Sequence, residues 1–163
     1  MLIYLFCFII LDCSRCQSLS FIEFLLSCCF FPLARPICNF IRPLEKGDCL
    51  GKIEQVEKLF FIDNKFSKEK IKLIQGWFEN TVPGFSFAGN IAILRLDGDW
   101  YESTRIPLEN FYSKISIGGI IIIDDYATCH GSKKAVDEFI EINGFKPNLM
   151  PDGRGGAWFI KEA

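Results

Sequence analysis

Two apolar runs in this chain stop abruptly on aspartates: Asn90-Ile-Ala-Ile-Leu-Arg-Leu96 runs into Asp97-Gly-Asp99, and Ile120-Ile-Ile-Ile123 runs into Asp124-Asp125. Near-continuous apolar stretches of this length suit strands covered on both faces, the usual state of parallel sheets in α/β folds. In open α/β sheets ligands bind outside the carboxyl ends of the strands. The sequence therefore predicts a parallel pair with acids at its ligand-binding edge.

The surrounding segments agree with that class. Ile53, Val56, Leu59 and Phe60 recur at helical spacing over Ile53–Phe61, predicting a helix that covers one face of a sheet and ends at the Asp63-Asn64 turn. After a polar lead at Ser67–Lys70, the alternating Ile71–Ile74 predicts a strand. Ser103–Ile115 carries a helical stripe, with Ser103 or Thr104 as N-cap, Pro107 near the first turn and Gly118-Gly119 as the stop. Ser132–Asn143 reads as a helix capped by Ser132 and stopped by Gly144. Phe145–Met150 and Ala157–Ile160 close the chain as strands around the turn Pro151-Asp-Gly-Arg-Gly-Gly156. The order is that of an open α/β sheet finishing in an antiparallel hairpin.

If the two acid-terminated strands are neighbours, Asp97 faces Asp124 and Asp125 across one crevice. Three crowded carboxylates repel one another unless a hard divalent cation such as Mg2+ takes their oxygens or a proton is shared between them. An acid at one strand end is commonly no more than a helix cap or turn residue, and Asp99 fits that description. A consecutive pair of aspartates after four isoleucines does not. His130 is a candidate general base or acceptor contact, set against the plainer reading of an exposed loop histidine. Trp100, Tyr101 and Tyr126 stand beside the acids as candidate walls of an acceptor pocket. Trp77 and Trp158 are assigned to the core, and Arg154 to a glycine-rich turn that reaches an acceptor or is simply flexible.

Composition divides the chain near residue 50. Residues 1–49 hold seven of the eight cysteines, one glycine (Gly47) and a dense run of Phe, Leu and Ile, so residues 1–50 read as a leader and 51–163 as the domain. Met1–Leu11 has neither a preceding basic residue nor a clean small-residue cleavage site, and Leu19–Leu33 is broken by Glu23 and Pro32. Membrane association of residues 1–33 is the lesser expectation and a cytoplasmic protein the greater. Cys13 and Cys16 form a Cys-x-x-Cys pair without a second pair or any histidine before His130, short of a zinc ligand set. A net charge of −2 provides no basic field for nucleic acid, which leaves a small molecule as the expected partner.

Leu94-Arg-Leu-Asp-Gly-Asp-Trp-Tyr-Glu-Ser-Thr104, Leu108-Glu-Asn-Phe-Tyr112 and Gly118-Gly-Ile-Ile-Ile-Ile-Asp-Asp-Tyr126 together resemble the macrocin O-methyltransferase (TylF/MycF-type) family. Gln75-Gly-Trp-Phe-Glu-Asn-Thr-Val-Pro83 ahead of them and Lys134-Ala-Val-Asp-Glu-Phe139 behind are similar in type and order. The resemblance covers about residues 53–163. It implies a Rossmann-like sheet, transfer of the S-adenosylmethionine methyl group to a hydroxyl of a sugar or glycosylated small molecule with Mg2+ assistance, and metal binding at Asp97, Asp124 and Asp125. Asp97 or Asp99 would take the proton.

One part of that pattern is missing. A Gly-x-Gly-type loop after a first strand would hold the cofactor, yet before Gly76 there are only Gly47 and Gly51, which follow no strand-like run. The expectation is therefore the carboxyl-terminal part of the methyltransferase sheet, with its amino-terminal strands and glycine loop absent and weak or no methyl transfer by this chain. The alternatives are a non-catalytic homologue that binds a metal or partner through the acidic edge and, with less behind it, a hydrolase using a metal-bound water. The acceptor is not legible, and homo-oligomerisation is left open.

Overall fold

A computed structural model describes residues 53–69, 71–86 and 89–163. The leader and the Gly47–Gly51 segment, with the expectations attached to them, lie outside these residues. The described residues fall into two units, 53–77 and 78–163. No helix among them is long and apolar enough to cross a membrane.

In the first unit, α1 (Ile53–Glu57) continues as a π-helical turn, Lys58–Asp63. Asn64 ends it by donating both its backbone N–H and its side-chain amide to Leu59 O, at 3.2 and 2.7 Å. Phe60 is buried and meets the Phe66 ring at a centroid distance of 6.1 Å. The expected helix is thus present and two residues longer. The strand expected over Ile71–Ile74 is not: the unit's described residues contain no strand, and without a neighbouring ladder a β-branched alternation has nothing to pair with.

The second unit comprises the short α2 (Phe78–Thr81), β1 (Ile91–Leu96), α3 (Tyr101–Phe111) with a 3-10 turn at Tyr112–Lys114, β2 (Ile115–Ile123), α4 (His130–Asn143), β3 (Met150–Pro151) and β4 (Ala157–Ile160). The sheet order is β1-β2-β4-β3, with β1 and β2 parallel and β4 antiparallel to both β2 and β3. The α/β class and the closing antiparallel hairpin are as expected. Ile91, Leu94 and Leu96 of β1, Ile121 and Ile123 of β2 and Phe159 of β4 form one core with Leu108 and Phe111 of α3 and Val136 and Phe139 of α4. Each such side chain contributes about 1.5–3 kcal/mol on burial. Ile120 and Ile122 are only half-buried, so β2 alternates rather than being sealed on both faces. Trp158 is likewise half-buried, as is Trp77 of the first unit, while Phe159 fills the core instead.

Several boundaries move, each for a local reason. α3 starts at Tyr101 behind an extended N-cap, Trp100, rather than at Ser103 or Thr104. The Ser103 hydroxyl turns back to the carbonyls of Gly98 and Trp100, closing the Asp97-Gly98-Asp99 loop instead of capping the helix. Pro107 consequently falls inside α3, beyond its first turn. Gly118 and Gly119 lie within β2 and not at a helix stop. The register jumps there from Ile91↔Ile115 to Ile93↔Ile120, a bulge in which Gly118 takes φ 82° and the pair bonds to both backbone groups of Lys161 at 2.8 Å. α4 starts at His130 behind Cys129, so Ser132 is a buried helical residue and not a cap. Gly144 does end the helix, in the left-handed conformation at φ 69°. Of Phe145–Met150 only Met150 is in a strand. Pro147 interrupts the segment, and the Phe145 ring packs instead on Tyr112 and Phe139, at 5.1 and 5.9 Å.

Candidate active site

Parallel pairing of Leu96 with Ile123 releases Asp97 and Asp124 from the sheet at the same level, and Asp124 N–H donates to Leu96 O at 2.9 Å. Asp97, Asp124 and Asp125 each offer a carboxylate oxygen within 4.8 Å of the others. The juxtaposition expected from two consecutive acid-terminated strands is therefore realised.

A residue that the sequence reading passed over joins this group. Arg95 is buried, 9 % exposed, and its guanidinium bridges Asp97 Oδ2 at 3.1 Å and Asp124 Oδ1 at 2.6 Å. A signal was present: Arg95 interrupts an otherwise apolar strand, and two residues apart on a strand means the same face as Asp97. Among the described residues, Arg95 thus supplies a cation to two of the three carboxylates. That is not enough to neutralise them. Burial first, and then Asp124 and Asp125, push the Asp97 carboxyl up to about 6 despite the opposing pull of Arg95. Burial, the hydrogen bond to Asp99 and the Asp99 charge push Asp125 up to about 7, against a 3.0 Å hydrogen bond from the Thr128 hydroxyl. Two of the crowded carboxyls, those of Asp97 and Asp125, thus hold their protons well above the ordinary carboxylate range.

Asp99 sits at φ 52°, a left-handed conformation in which Asp and Asn are the best tolerated of the side-chain-bearing residues, and this brings it to Asp125 and Cys129. Trp100 stands 53 % exposed at the head of α3. Tyr101 and Tyr126 are half-buried with their hydroxyls engaged by α4: Tyr101 Oη donates to Glu138 Oε2, and Tyr126 Oη to Asp137 Oδ1, each at 2.6 Å. His130 is exposed at the first position of α4, and the carboxylate cluster does not include it.

The turn Asp152–Gly156, read as a flexible connector or acceptor contact, packs on the Asp124–Thr128 loop. Gly155 O accepts from Ala127 N–H at 2.7 Å, and Asp152 Oδ1 holds the turn by accepting from Arg154 and Gly156 N–H at 2.7 and 2.9 Å. A Cβ on Gly156 would lie 2.8 Å from the carbonyl oxygens of both Ile123 and Asp124. Arg154 itself is exposed.

Residues 51–161, which contain the whole of this edge, match the family model described as macrocin O-methyltransferase (TylF). The chain belongs to that family. Among its relatives, demethyldecarbamoylnovobiocin O-methyltransferase of Streptomyces niveus is 46 % identical over 114 residues, which are 70 % of this chain and 43 % of the relative. A tetracenomycin-C 4′-O-methyltransferase of Streptomyces olivaceus, named for a 2,3-dimethoxy-rhamnosyl substrate, is 40 % identical over 55 % of this chain and 34 % of its own length. The solved structure of the O-methyltransferase NovP superposes with a TM-score of 0.64 at 35 % identity, covering 68 % of this chain and 45 % of that one. This chain thus spans less than half the length of these relatives.

Proposed function

We propose that this chain carries the metal and acceptor side of an S-adenosylmethionine-dependent O-methyltransferase that methylates a hydroxyl of a sugar or glycosylated small molecule. The observation that carries the reading is the cluster of Asp97, Asp124 and Asp125 at the carboxyl edge of two adjacent parallel strands. The cluster fits a hard divalent cation such as Mg2+. All its donors are carboxylate oxygens, they converge within 4.8 Å, and one buried arginine leaves two of them with carboxyls raised well above their ordinary range. The names of the relatives, one of them a 4′-O-methyltransferase of a rhamnosylated compound and another a 3″-O-methyltransferase, support a sugar hydroxyl as the acceptor.

In this reading Asp97, Asp124 and Asp125 would hold the cation, and Arg95 fixes the two carboxylates that it bridges. A bound divalent cation supplies the charge that lowers the pKa of an acceptor hydroxyl. Asp99, hydrogen-bonded to Asp125, takes the acceptor proton at its carboxylate, with Asp97 as the second candidate. Trp100 offers an exposed aromatic face at the rim of the acids.

Calorimetric titration of the full chain with Mg2+ and with S-adenosylmethionine in separate runs tests the reading. Mg2+ affinity that Asp124→Asn abolishes in a normally melting protein, with measurable cofactor affinity, supports it. Metal binding without cofactor affinity points instead to a non-catalytic metal-binding homologue. Absence of metal binding refutes the assignment of the acids.

A further inference from the structure

Each acid-bearing loop is followed closely by a tyrosine: Tyr101 after Asp97-Gly98-Asp99-Trp100, and Tyr126 directly after Asp124-Asp125. The two hydroxyls reach the same helix at consecutive positions, Tyr126 on Asp137 and Tyr101 on Glu138, both at 2.6 Å. Each acceptor carboxylate is also paired with the lysine one turn before it, Lys133–Asp137 at 2.5 Å and Lys134–Glu138 at 3.7 Å. Each lysine lies over the ring of the same tyrosine, Lys133 at 4.7 Å from the Tyr126 centroid and Lys134 at 5.2 Å from that of Tyr101. One tyrosine–carboxylate–lysine arrangement is therefore built twice, offset by a single residue along α4. The helix is also seated closely on one of the loops it latches. A Cβ on Gly131 would lie 2.7 Å from the Tyr101 nitrogen, so the first turn of α4 abuts the start of α3 backbone to backbone.

We infer that α4 sets the separation of the two acid-bearing loops through this pair of latches, with Tyr101, Glu138, Tyr126 and Asp137 acting as positioning residues for the divalent cation. The inference rests on the reading of Asp97, Asp124 and Asp125 as its ligands. The core has no need of the latches. Their carboxylates and lysines are largely solvent-exposed, and exposed pairs of this kind add little to global stability. What they do is tie the outer ends of the two loops, which Arg95 already bridges at the acids, to one rigid element. Groups that orient ligands from behind typically alter metal affinity by about 10- to 100-fold when removed.

The test uses Mn2+ as the probe, titrated into the full chain and followed by the paramagnetic resonance signal of the free ion. Tyr101→Phe and Tyr126→Phe keep the rings under their lysines and remove only the hydroxyls. Each is expected to weaken Mn2+ binding by about 10-fold, with a larger loss in the double variant and an unchanged melting midpoint. Amide exchange is expected to rise over residues 100–103 in the first variant and 125–128 in the second, each in its own loop. Variants that bind Mn2+ as tightly as the parent, with unchanged exchange, overturn the latch while leaving the cation site standing. A parent chain that melts cooperatively yet takes up no Mn2+ removes the cation site itself, and the positioning role with it.

Discussion

Replacing Arg95 with methionine keeps the length and apolar stem of the side chain and deletes the cation between Asp97 and Asp124. Removing one partner of a fully buried ion pair costs about 3–5 kcal/mol, whereas exposed pairs are worth about 0.2–1 kcal/mol. Arg95 is 9 % exposed but its partners are 46 % and 37 % exposed, so water reaches the carboxylates left behind and the loss at pH 8 should fall between those ranges, at about 2 kcal/mol. The loss should depend on pH in a definite direction. Asp97 keeps its proton up to about pH 6 in the folded chain against an ordinary 3.8, so the fold binds more protons than the unfolded chain between those values. Metal-free stability of the parent therefore falls as pH rises from about 4 to about 7, Asp125 extending the upper end. At pH 5 Asp97 is protonated and the Arg95–Asp97 pair is already gone, so Arg95→Met should cost only about 1 kcal/mol there. Urea denaturation at pH 5 and pH 8, followed by tryptophan fluorescence with and without Mg2+, measures both values. Mg2+ should recover part of the deficit at pH 8 by neutralising the unpaired carboxylates. A cost equal at the two pH values, or larger at pH 5, would refute the electrostatic account of Arg95.

Gly156→Ala should cost about 2 kcal/mol or more, because its Cβ would press on the carbonyl oxygens of Ile123 and Asp124 at 2.8 Å; since those carbonyls flank the Asp124 Cα, divalent-ion affinity should fall with the melting midpoint. Asp99→Asn should leave the midpoint nearly unchanged, as Asn tolerates the φ of 52°, while removing a charge that raises the Asp125 carboxyl. The pH dependence of stability between 5 and 7 should flatten accordingly, and a profile identical to the parent's would exclude the Asp99–Asp125 interaction.

Much of the site was legible because it lies at strand ends. Once Ile91–Leu96 and Ile115–Ile123 pair in parallel, Asp97, Asp124 and Asp125 have nowhere to go but the same edge. Boundaries set by competition among local hydrogen bonds were not legible. Ser103 offered the sequence pattern of a cap, but its hydroxyl has a closer acceptor in Gly98 O, which moved the start of α3 forward. Gly118-Gly119 offered the pattern of a turn. Only the backbone of Lys161, distant in sequence, makes the pair a bulge inside a strand.

By itself the sequence determined the α/β class, the antiparallel close and the family, since periodicity, strand-end acids and motif order are local properties carried by neighbouring residues. Tertiary structure alone decided that Arg95 answers two of the acids, that Asp99 shares a hydrogen bond with Asp125, that the glycine turn at 152–156 buttresses their loop, and that α4 reaches back to hold Tyr101 and Tyr126. Each of these joins side chains or turns whose meeting depends on how strands and helices pack or on a single unusual φ. The charge at an edge can be read along the chain, but the balance of charges around it is set by what folding brings next to it.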